Sequence, residues 1–180
     1  MSGKNNLEIP TRIDDRDEID YSVPFGDDTE DLARDLVPIR SMAAADLPAL
    51  IDIDRRHTGR DRAGYFEDKL AEMLEESGVR VSLVAELDGR PVGFVMARVD
   101  FGEFGRATPE AVLDTIGVDP GYRHRKIASA LMSQLLANIR ALHSERVRTE
   151  VDWNDFDLLS FLEQCGFTPS ERLSFTRRLD

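Results

Sequence analysis

Hydrophobic residues change their spacing several times along this chain, and each spacing predicts a particular element. Residues 113–118 form a short, mostly apolar run with β-branched side chains, which is typical of a buried strand. The next three residues, Asp119, Pro120 and Gly121, are turn formers. From residue 126 onward, apolar side chains recur at helical spacing. This stretch therefore predicts a strand, a tight loop and a long helix in succession.

The same reasoning predicts the other elements. Residues 79–86 alternate between apolar and polar side chains, and Asp88-Gly89 is a strong hairpin signal that leads into a return strand over 91–101. The remaining predictions are a strand over 36–40, helices over 43–55 and 65–76, strands over 110–118 and 147–153, a helix over 156–164 and a closing hairpin from 167 to 179. The resulting order, β-α-α-β-β-β-α-β-α-β-β, predicts a mixed α/β domain.

Residues 1–35 differ in composition from the rest of the chain. They are dense in Asp and Glu, contain few apolar residues and show no sustained period. Such a segment buries too little surface to offset the entropy lost on ordering. We interpret it as an acidic extension, flexible or loosely docked, that precedes a domain over residues 36–180. The alternative is an arm that binds a partner.

Composition limits the classes of function. A net charge of −12 argues against general nucleic-acid binding, which needs a basic face, and is compatible with cationic substrates such as amines. The single cysteine, Cys165, excludes an intrachain disulfide and fits a reducing compartment. The chain shows neither an apolar run of membrane-spanning length nor a signal-peptide core. We therefore expect a cytoplasmic protein that binds neither nucleic acid nor membrane.

A basic loop (residues 123–126) follows the predicted central strand. It contains Arg123, His124, Arg125 and Lys126, with no acid among them. Backbone N–H groups at a helix start are unpaired and carry the positive end of the helix dipole. A strand, a basic loop and a helix start together predict a phosphate site. The alternative is a solvated basic turn, since charge runs are common on protein surfaces.

The sequence VDPGYRHRKIASALM, residues 118–132, resembles the acetyl-CoA signature of the GNAT N-acetyltransferase family. The family pattern is Arg or Gln, two residues, Gly, one residue, and Gly or Ala. Arg123 and Ala128 match it, whereas Lys126 stands where the family usually has glycine. The resemblance covers roughly residues 36–180. It implies a GNAT-like acyl-CoA N-acyltransferase fold, with a mixed, largely antiparallel central sheet flanked by helices, and acetyl-CoA as co-substrate.

The resemblance also implies roles for individual residues. In relatives the central strand pairs its backbone with the pantetheine arm of the cofactor, a role that falls to Ile116, Gly117 and Val118. The Val118 N–H is then the candidate donor to the thioester oxygen. The alternative is that these three are simply core strand residues. Candidate contacts to the pyrophosphate, through backbone N–H groups and one hydroxyl, are Arg123, His124, Arg125, Lys126, Ile127, Ala128 and Ser129.

A second segment, VDWNDFDLLSFLEQCGF at residues 151–167, resembles the family's strand and helix that carry an asparagine touching the cofactor and a tyrosine acting as general acid. Counting back from Gly166 puts the tyrosine position at Leu162 and the asparagine position at Asp155, with Asn154 one place earlier as the candidate. Leucine has no proton to donate. The thiol of CoA is expected to have a pKa of about 8.5, so its thiolate can leave without a proton donor. Loss of the general acid would then lower the rate by roughly 10²–10⁴-fold.

Asp114 is the best placed candidate for a general base. Alternation along the strand predicts that it shares a face with Ile116 and Val118. A carboxylate in an apolar strand costs free energy unless it is partnered or functional, so an ion pair with a nearby arginine is the alternative. The polar loop over 57–64, and Tyr65 after it, lie where relatives build the acceptor site.

Three hypotheses about function follow. The first is an N-acetyltransferase that moves an acetyl group from acetyl-CoA to a primary amine of a small molecule or protein by direct attack. The second is a non-catalytic acyl-CoA-binding module that lost the glycine and tyrosine of the family pattern. The third is an interaction protein that acts through its acidic extension. The sequence predicts no metal site, does not identify the acceptor, and leaves a homodimer open.

Overall fold

A single mixed sheet forms the centre of the computed structural model, which describes residues 37–75, 79–100, 109–171 and 176–179. Its strands are β1 (Ile39–Ser41), β2 (Val79–Leu87), β3 (Arg90–Asp100), β4 (Glu110–Val118) and β5 (Arg146–Arg148). They lie side by side in chain order, antiparallel from β1 to β4 and parallel between β4 and β5. The predicted mixed, largely antiparallel sheet flanked by helices is therefore confirmed.

Helices cover both faces of the sheet. They are α1 (Leu47–Thr58), α2 (Ala63–Glu75), α3 (Ile127–Ala141) and α4 (Phe156–Gln164), with short 3₁₀ turns at Ala44–Asp46 and Pro120–Tyr122. One apolar cluster joins α3 and α4 to the sheet, and a second joins α1 and α2 to its opposite face. We call these the α3 face and the α1/α2 face.

The alternation predicted for β2 is confirmed by these two clusters. Val81, Leu83 and Ala85 are buried on the α3 face, and Val84 is buried on the α1/α2 face. The predicted hairpin is also present, because Asp88 and Gly89 both have positive φ, at 52° and 72°. Positive φ at both central residues is the geometry of a type I′ turn, whose twist matches that of paired strands.

The first helix extends further than its pattern predicts. We expected a helix over 43–55 and a polar loop over 57–64, whereas α1 continues to Thr58 and α2 already begins at Ala63. Gly59 ends α1 in the left-handed conformation, with φ of 68°, and its N–H donates to the Arg55 carbonyl at 2.8 Å. Half of the predicted loop is therefore helical, and residues 59–62 connect the two helices.

The end of the chain departs most from expectation. We expected a strand over 147–153, but β5 ends at Arg148, and the chain turns where the Asp155 N–H donates to the Asp152 carbonyl at 2.9 Å. Residues 167–171 and 176–179 belong to no strand, so the closing hairpin is absent from the described residues. The acidic extension over 1–35 lies outside them. No helix in the described ranges combines the length and apolarity needed to cross a membrane.

Candidate active site

The two halves of β4 have different neighbours. Along its whole length β4 pairs with β3, but in the described part of the chain β5 pairs with it only from Glu110 to Val112. After β5 ends, the Thr149 hydroxyl donates to the Leu113 carbonyl at 3.0 Å, and the segment that follows Thr149 no longer pairs with β4. We call residues 114–118 the splayed half of β4. All five are half-buried, and among the described residues no strand pairs with the edge that faces away from β3; we call the space beside this edge the gap.

The register shows which backbone groups face this gap. The Asp119 N–H donates to the Val92 carbonyl of β3 at 2.8 Å, so these two residues form a hydrogen-bonded pair. Such pairs alternate along an antiparallel ladder, so Gly117 is bonded to β3 in the same way. Val118 and Ile116 occupy the alternate positions, and their N–H and C=O groups therefore point away from β3, toward the gap.

Gly117 serves the site through its missing side chain. A Cβ at this position would lie 2.8 Å and 2.9 Å from two ring carbons of Phe94, closer than packing allows. The Phe94 ring therefore lies directly over the strand, and the Phe66 ring of α2 packs edge-on against it at a centroid distance of 5.6 Å. This contact holds α2 near the splayed half.

A β-bulge separates the two halves of the strand. Met96 opposes Thr115, and the next residue of β3, Ala97, opposes Leu113. Asp114 is consequently an extra residue in β4 with no opposite partner in the ladder. A bulge of this kind re-aims the side chain of the inserted residue and increases the local twist.

The bulge overturns the predicted direction of Asp114. We expected it on the face of Ile116 and Val118, which do pack on the α3 face. Instead the carboxylate accepts a hydrogen bond from the guanidinium of Arg98. Arg98 lies two residues after Met96, a member of the α1/α2 cluster, so Asp114 points to the α1/α2 face. Simple alternation fails here because one residue has been inserted into the strand.

Asp114 has the ion pair that we gave as its structural alternative, and a phenol lies near it. Tyr65 of α2 is half-buried, and its pKa is raised first by burial and then by the negative charge of Asp114. The cations Lys69, Arg62 and Arg98 act on that pKa in the opposite direction. The phenol of Tyr65 therefore remains protonated at neutral pH and is able to donate a hydrogen bond.

The basic loop has a backbone suited to an anion. Arg123, His124, Arg125 and Lys126 are all exposed, and φ is positive at His124 (62°) and at Lys126 (56°). Left-handed residues occur in anion-binding concavities in which neighbouring backbone N–H groups converge on the ligand. Lys126 is also the N-cap of the 15-residue helix α3, whose first N–H groups have no partners within the helix.

The backbone at Lys126 explains why the family prefers glycine there. With φ of 56° and ψ of 21°, Lys126 is in the left-handed region. That conformation costs a residue with a Cβ roughly 1–2 kcal/mol, whereas glycine adopts it freely. Lysine keeps the backbone N–H and exposes its side chain, so the geometry of the loop is retained at a cost in stability.

The first residues of α3 differ in their surroundings. Ile127 is buried against the sheet, where its methyl carbon lies 2.9 Å from the position of a Cβ on Gly93. Ala128 and Ser129 are half-buried. Ile127 thus fixes the start of the helix by packing, and its side chain belongs to the core.

The segment over residues 151–167 that resembles the family places some of its residues in the core and others on the surface. Leu162, at the position of the family's tyrosine, is only 5% exposed and packs on the α3 face. Asp155 caps α4, because its carboxylate accepts from the Leu158 N–H at 3.2 Å. Asn154 precedes it as an exposed turn residue. Asp155 is thus engaged in the cap, whereas Asn154 has no such role in the cap.

Sequence reasoning missed two residues that shape this site. Arg98 was not among the predicted site residues, although a cation on an inward-facing strand position is a signal of a buried partner. Thr149 ends the pairing of β4 with β5, and its sequence neighbourhood carries no sign of that role.

Comparison with known proteins identifies the architecture. The family model described as acetyltransferase (GNAT) family matches residues 47–167. The aminoglycoside N-acetyltransferase AAC(6')-Iy in complex with CoA superposes with a TM-score of 0.67 at 19% identity, over 79% of this chain and 94% of that chain. A transcriptional regulator from Bacillus halodurans C-125 gives 0.68 at 16% identity, over 79% and 99%. The aminoglycoside acetyltransferase meta-AAC0020 from an uncultured soil metagenomic sample, in complex with sisomicin, gives 0.61 at 21% identity, over 81% and 98%.

Proposed function

Since the chain belongs to the GNAT acetyltransferase family, we propose that it moves an acetyl group from acetyl-CoA to a primary amine by direct attack. The observation that carries this proposal is the continuous stretch formed by the splayed half of β4, the basic loop and the start of α3. It combines an unpaired strand edge with an anion-binding helix start. An extended, phosphate-bearing substrate such as an acyl-CoA needs both.

The basic loop and the start of α3 are the proposed site of the pyrophosphate. We therefore also call the basic loop, residues 123–126, the phosphate loop. Backbone N–H groups of residues 123–128 would donate to it, and the exposed cations of the loop add favourable charge. The Ser129 hydroxyl and the Asn154 amide are proposed as further contacts to the cofactor. The backbones of Ile116 and Val118 would pair with the pantetheine arm, because their polar groups face the gap.

The Val118 N–H is the proposed donor to the thioester oxygen. As the amine nitrogen attacks the carbonyl carbon, negative charge develops on that oxygen, and the C–S bond then breaks with its electron pair leaving on sulfur. A fixed backbone donor at such an oxygen typically contributes about 10²–10³ in rate. Val118 suits this role because it is the last residue of the strand before the phosphate loop.

Asp114 is the proposed acceptor of the proton that the amine loses. Its carboxylate faces the α1/α2 side, where the Tyr65 phenol also lies, so acceptor and cofactor approach from different sides of the strand. Arg98 holds the carboxylate in place. The thiolate leaves without an acid from α4, since position 162 is a buried leucine.

The second candidate is an acyl-CoA-binding module without catalysis. It is favoured by two observations, the strained Lys126 at the family's glycine position and the buried Leu162 at the position of its tyrosine. Both departures lower catalytic competence without removing the backbone N–H groups that face the cofactor site.

The deciding experiment combines acetyl-CoA calorimetry with release of free thiol over a panel of amines that includes aminoglycosides, small diamines and peptides with free amines. Binding with thiol release supports the enzyme, and binding without release for any amine supports the module. Absence of binding at millimolar acetyl-CoA contradicts both.

Asp114→Asn is the matching variant for the catalytic assignment. We expect it to lower kcat by roughly 10²–10⁴-fold while acetyl-CoA affinity stays near wild type. Asp68→Asn, an exposed carboxylate on α2, is the control and leaves kcat unchanged. An Asp114→Asn variant with wild-type kcat would show that the ion pair of Asp114 with Arg98 has only a structural role.

A further inference from the structure

Asp119 forms the junction between the splayed half of β4 and the phosphate loop, and four hydrogen bonds hold it, one of them from the Tyr122 N–H to its carbonyl at 2.8 Å. Its N–H donates to Val92 of β3 at 2.8 Å, and its Oδ1 accepts from the Gly121 N–H at 2.8 Å. Its Oδ2 accepts from the Arg56 guanidinium at 3.2 Å. The carboxylate is 15% exposed, so it is partly shielded from water.

Arg56 connects this junction to the acceptor side of the sheet. It lies in the last turn of α1, and its second nitrogen forms an ion pair with Asp52 one turn earlier at 2.6 Å. The same helix packs on the splayed half of β4, because Ile53 lies 3.6 Å from the position of a Cβ on Gly117. Arg56 thus spans from α1 to the residue that precedes the phosphate loop.

The charge of Asp119 matters because of where it lies. It is the carboxylate that immediately precedes the loop, four residues before Arg123, and the chain between them contains no other charged residue. The residues between them form a 3₁₀ turn, which rises only about 2.0 Å per residue, so the backbones of Asp119 and Arg123 lie within a screening length of about 8–10 Å at moderate salt. Without a cation at Asp119, its negative charge would repel the phosphates that the loop is proposed to bind.

We propose that Arg56 is a positioning residue for the phosphate loop, which it holds by binding Asp119 and neutralising its charge. The inference rests on the proposed binding of acetyl-CoA to this loop. It assigns to α1 a role in cofactor affinity, although Arg56 itself lies outside the loop. The contribution is electrostatic, so it depends on ionic strength.

Arg56→Gln is the test, and the chain supplies a matched control in its neighbour. Arg55 lies on the same turn, is similarly exposed, and also pairs with Asp52, at 2.7 Å, but its partner lies within α1. We expect Arg56→Gln to weaken acetyl-CoA binding by about two- to fivefold at low salt, with the loss shrinking at high salt. Arg55→Gln keeps wild-type affinity at both.

A second variant separates charge from packing. If the bare Asp119 carboxylate causes the loss, then Arg56→Gln combined with Asp119→Asn regains most of the affinity, since asparagine still accepts from the Gly121 N–H. Equal affinities of the Arg55→Gln and Arg56→Gln variants, or a double variant no better than Arg56→Gln, would overturn the inference alone. A wild-type chain that fails to bind acetyl-CoA would contradict the proposed function as well.

Discussion

The first and second halves of β4 share one neighbour and differ in the other. Residues 110–112 are bonded to β3 on one side and β5 on the other, and Ala111, Val112 and Leu113 are buried. Among the described residues, Thr115 to Val118 pair with β3 alone, and all of 114–118 are half-buried. In the first half every backbone group serves the fold. In the second half alternate backbone groups face the gap, and there we propose that the cofactor binds.

A bulge and a side chain produce the difference between the halves. Asp114 is inserted opposite β3, which increases the local twist, and Thr149 covers the Leu113 carbonyl at the point where β5 stops. The splayed half of β4 therefore begins at the residue where the regular ladder is interrupted.

After Asp114→Asn, the largest expected effect comes from removing the Val118 N–H, which faces the gap. Val118→Pro deletes a donor that β3 does not use, and proline is tolerated on a strand edge with this orientation. We expect kcat to fall about 10²–10³-fold with the melting temperature little changed. Gly117→Pro is the control, because it deletes a ladder bond, places a Cβ against the Phe94 ring and lowers stability. A Val118→Pro variant with normal kcat would remove Val118 from the mechanism.

Shortening a buried side chain in the first half of β4 is expected to lower the stability of the protein. Leu113→Ala empties a fully packed position and should lower the free energy of unfolding by about 3 kcal/mol. Ile116→Ala, at a half-buried position of the splayed half, should cost about 1 kcal/mol. Urea denaturation measures both. Equal losses would show that the two halves are packed alike.

An ion pair far from the gap is expected to act on stability and not on chemistry. Asp46 accepts two bonds from Arg40, at 2.7 and 2.8 Å, and these bonds lower the pKa of its carboxyl. Asp46→Asn should therefore cost about 2 kcal/mol at neutral pH.

The pH dependence of that variant has a definite sign. Because the folded-state pKa is below the unfolded value of 3.8, the stabilisation is present above pH 4 and is lost as pH falls through the folded-state pKa. Denaturation curves of wild type and Asp46→Asn should converge in acid. A difference in stability that persists below the folded-state pKa would mean that packing, not charge, carries the effect.

The smallest expected effect concerns the strained lysine of the loop. Lys126→Gly relieves a left-handed conformation and should raise stability by about 0.5–1 kcal/mol, whereas Lys126→Ala, which keeps a Cβ, should not. Acetyl-CoA affinity should change less than tenfold in either variant. A larger gain in Lys126→Gly would mean that lysine blocks the loop, and a loss in both would mean that the ammonium binds phosphate.

Local patterns predicted the elements whose ends are marked by their own residues. The strand over 110–118 and the helix over 156–164 have the predicted bounds, and the Asp88-Gly89 turn forms where expected. The prediction of a strand over 147–153 was wrong, because a segment continues as a strand only where a neighbouring strand pairs with it. From Thr149 onward that neighbour has diverged.

By itself the sequence determined the order of elements from β1 to α4, the strand, loop and helix that form the candidate cofactor site, and the absence of a phenol at position 162. These follow from spacing, turn formers and residue identity within short stretches. Only the tertiary structure decided the face of Asp114, the conformation of Lys126, and the contact of Arg56 with Asp119. Each of these depends on register or packing between segments distant in sequence, and the identity of neighbouring residues does not specify that register.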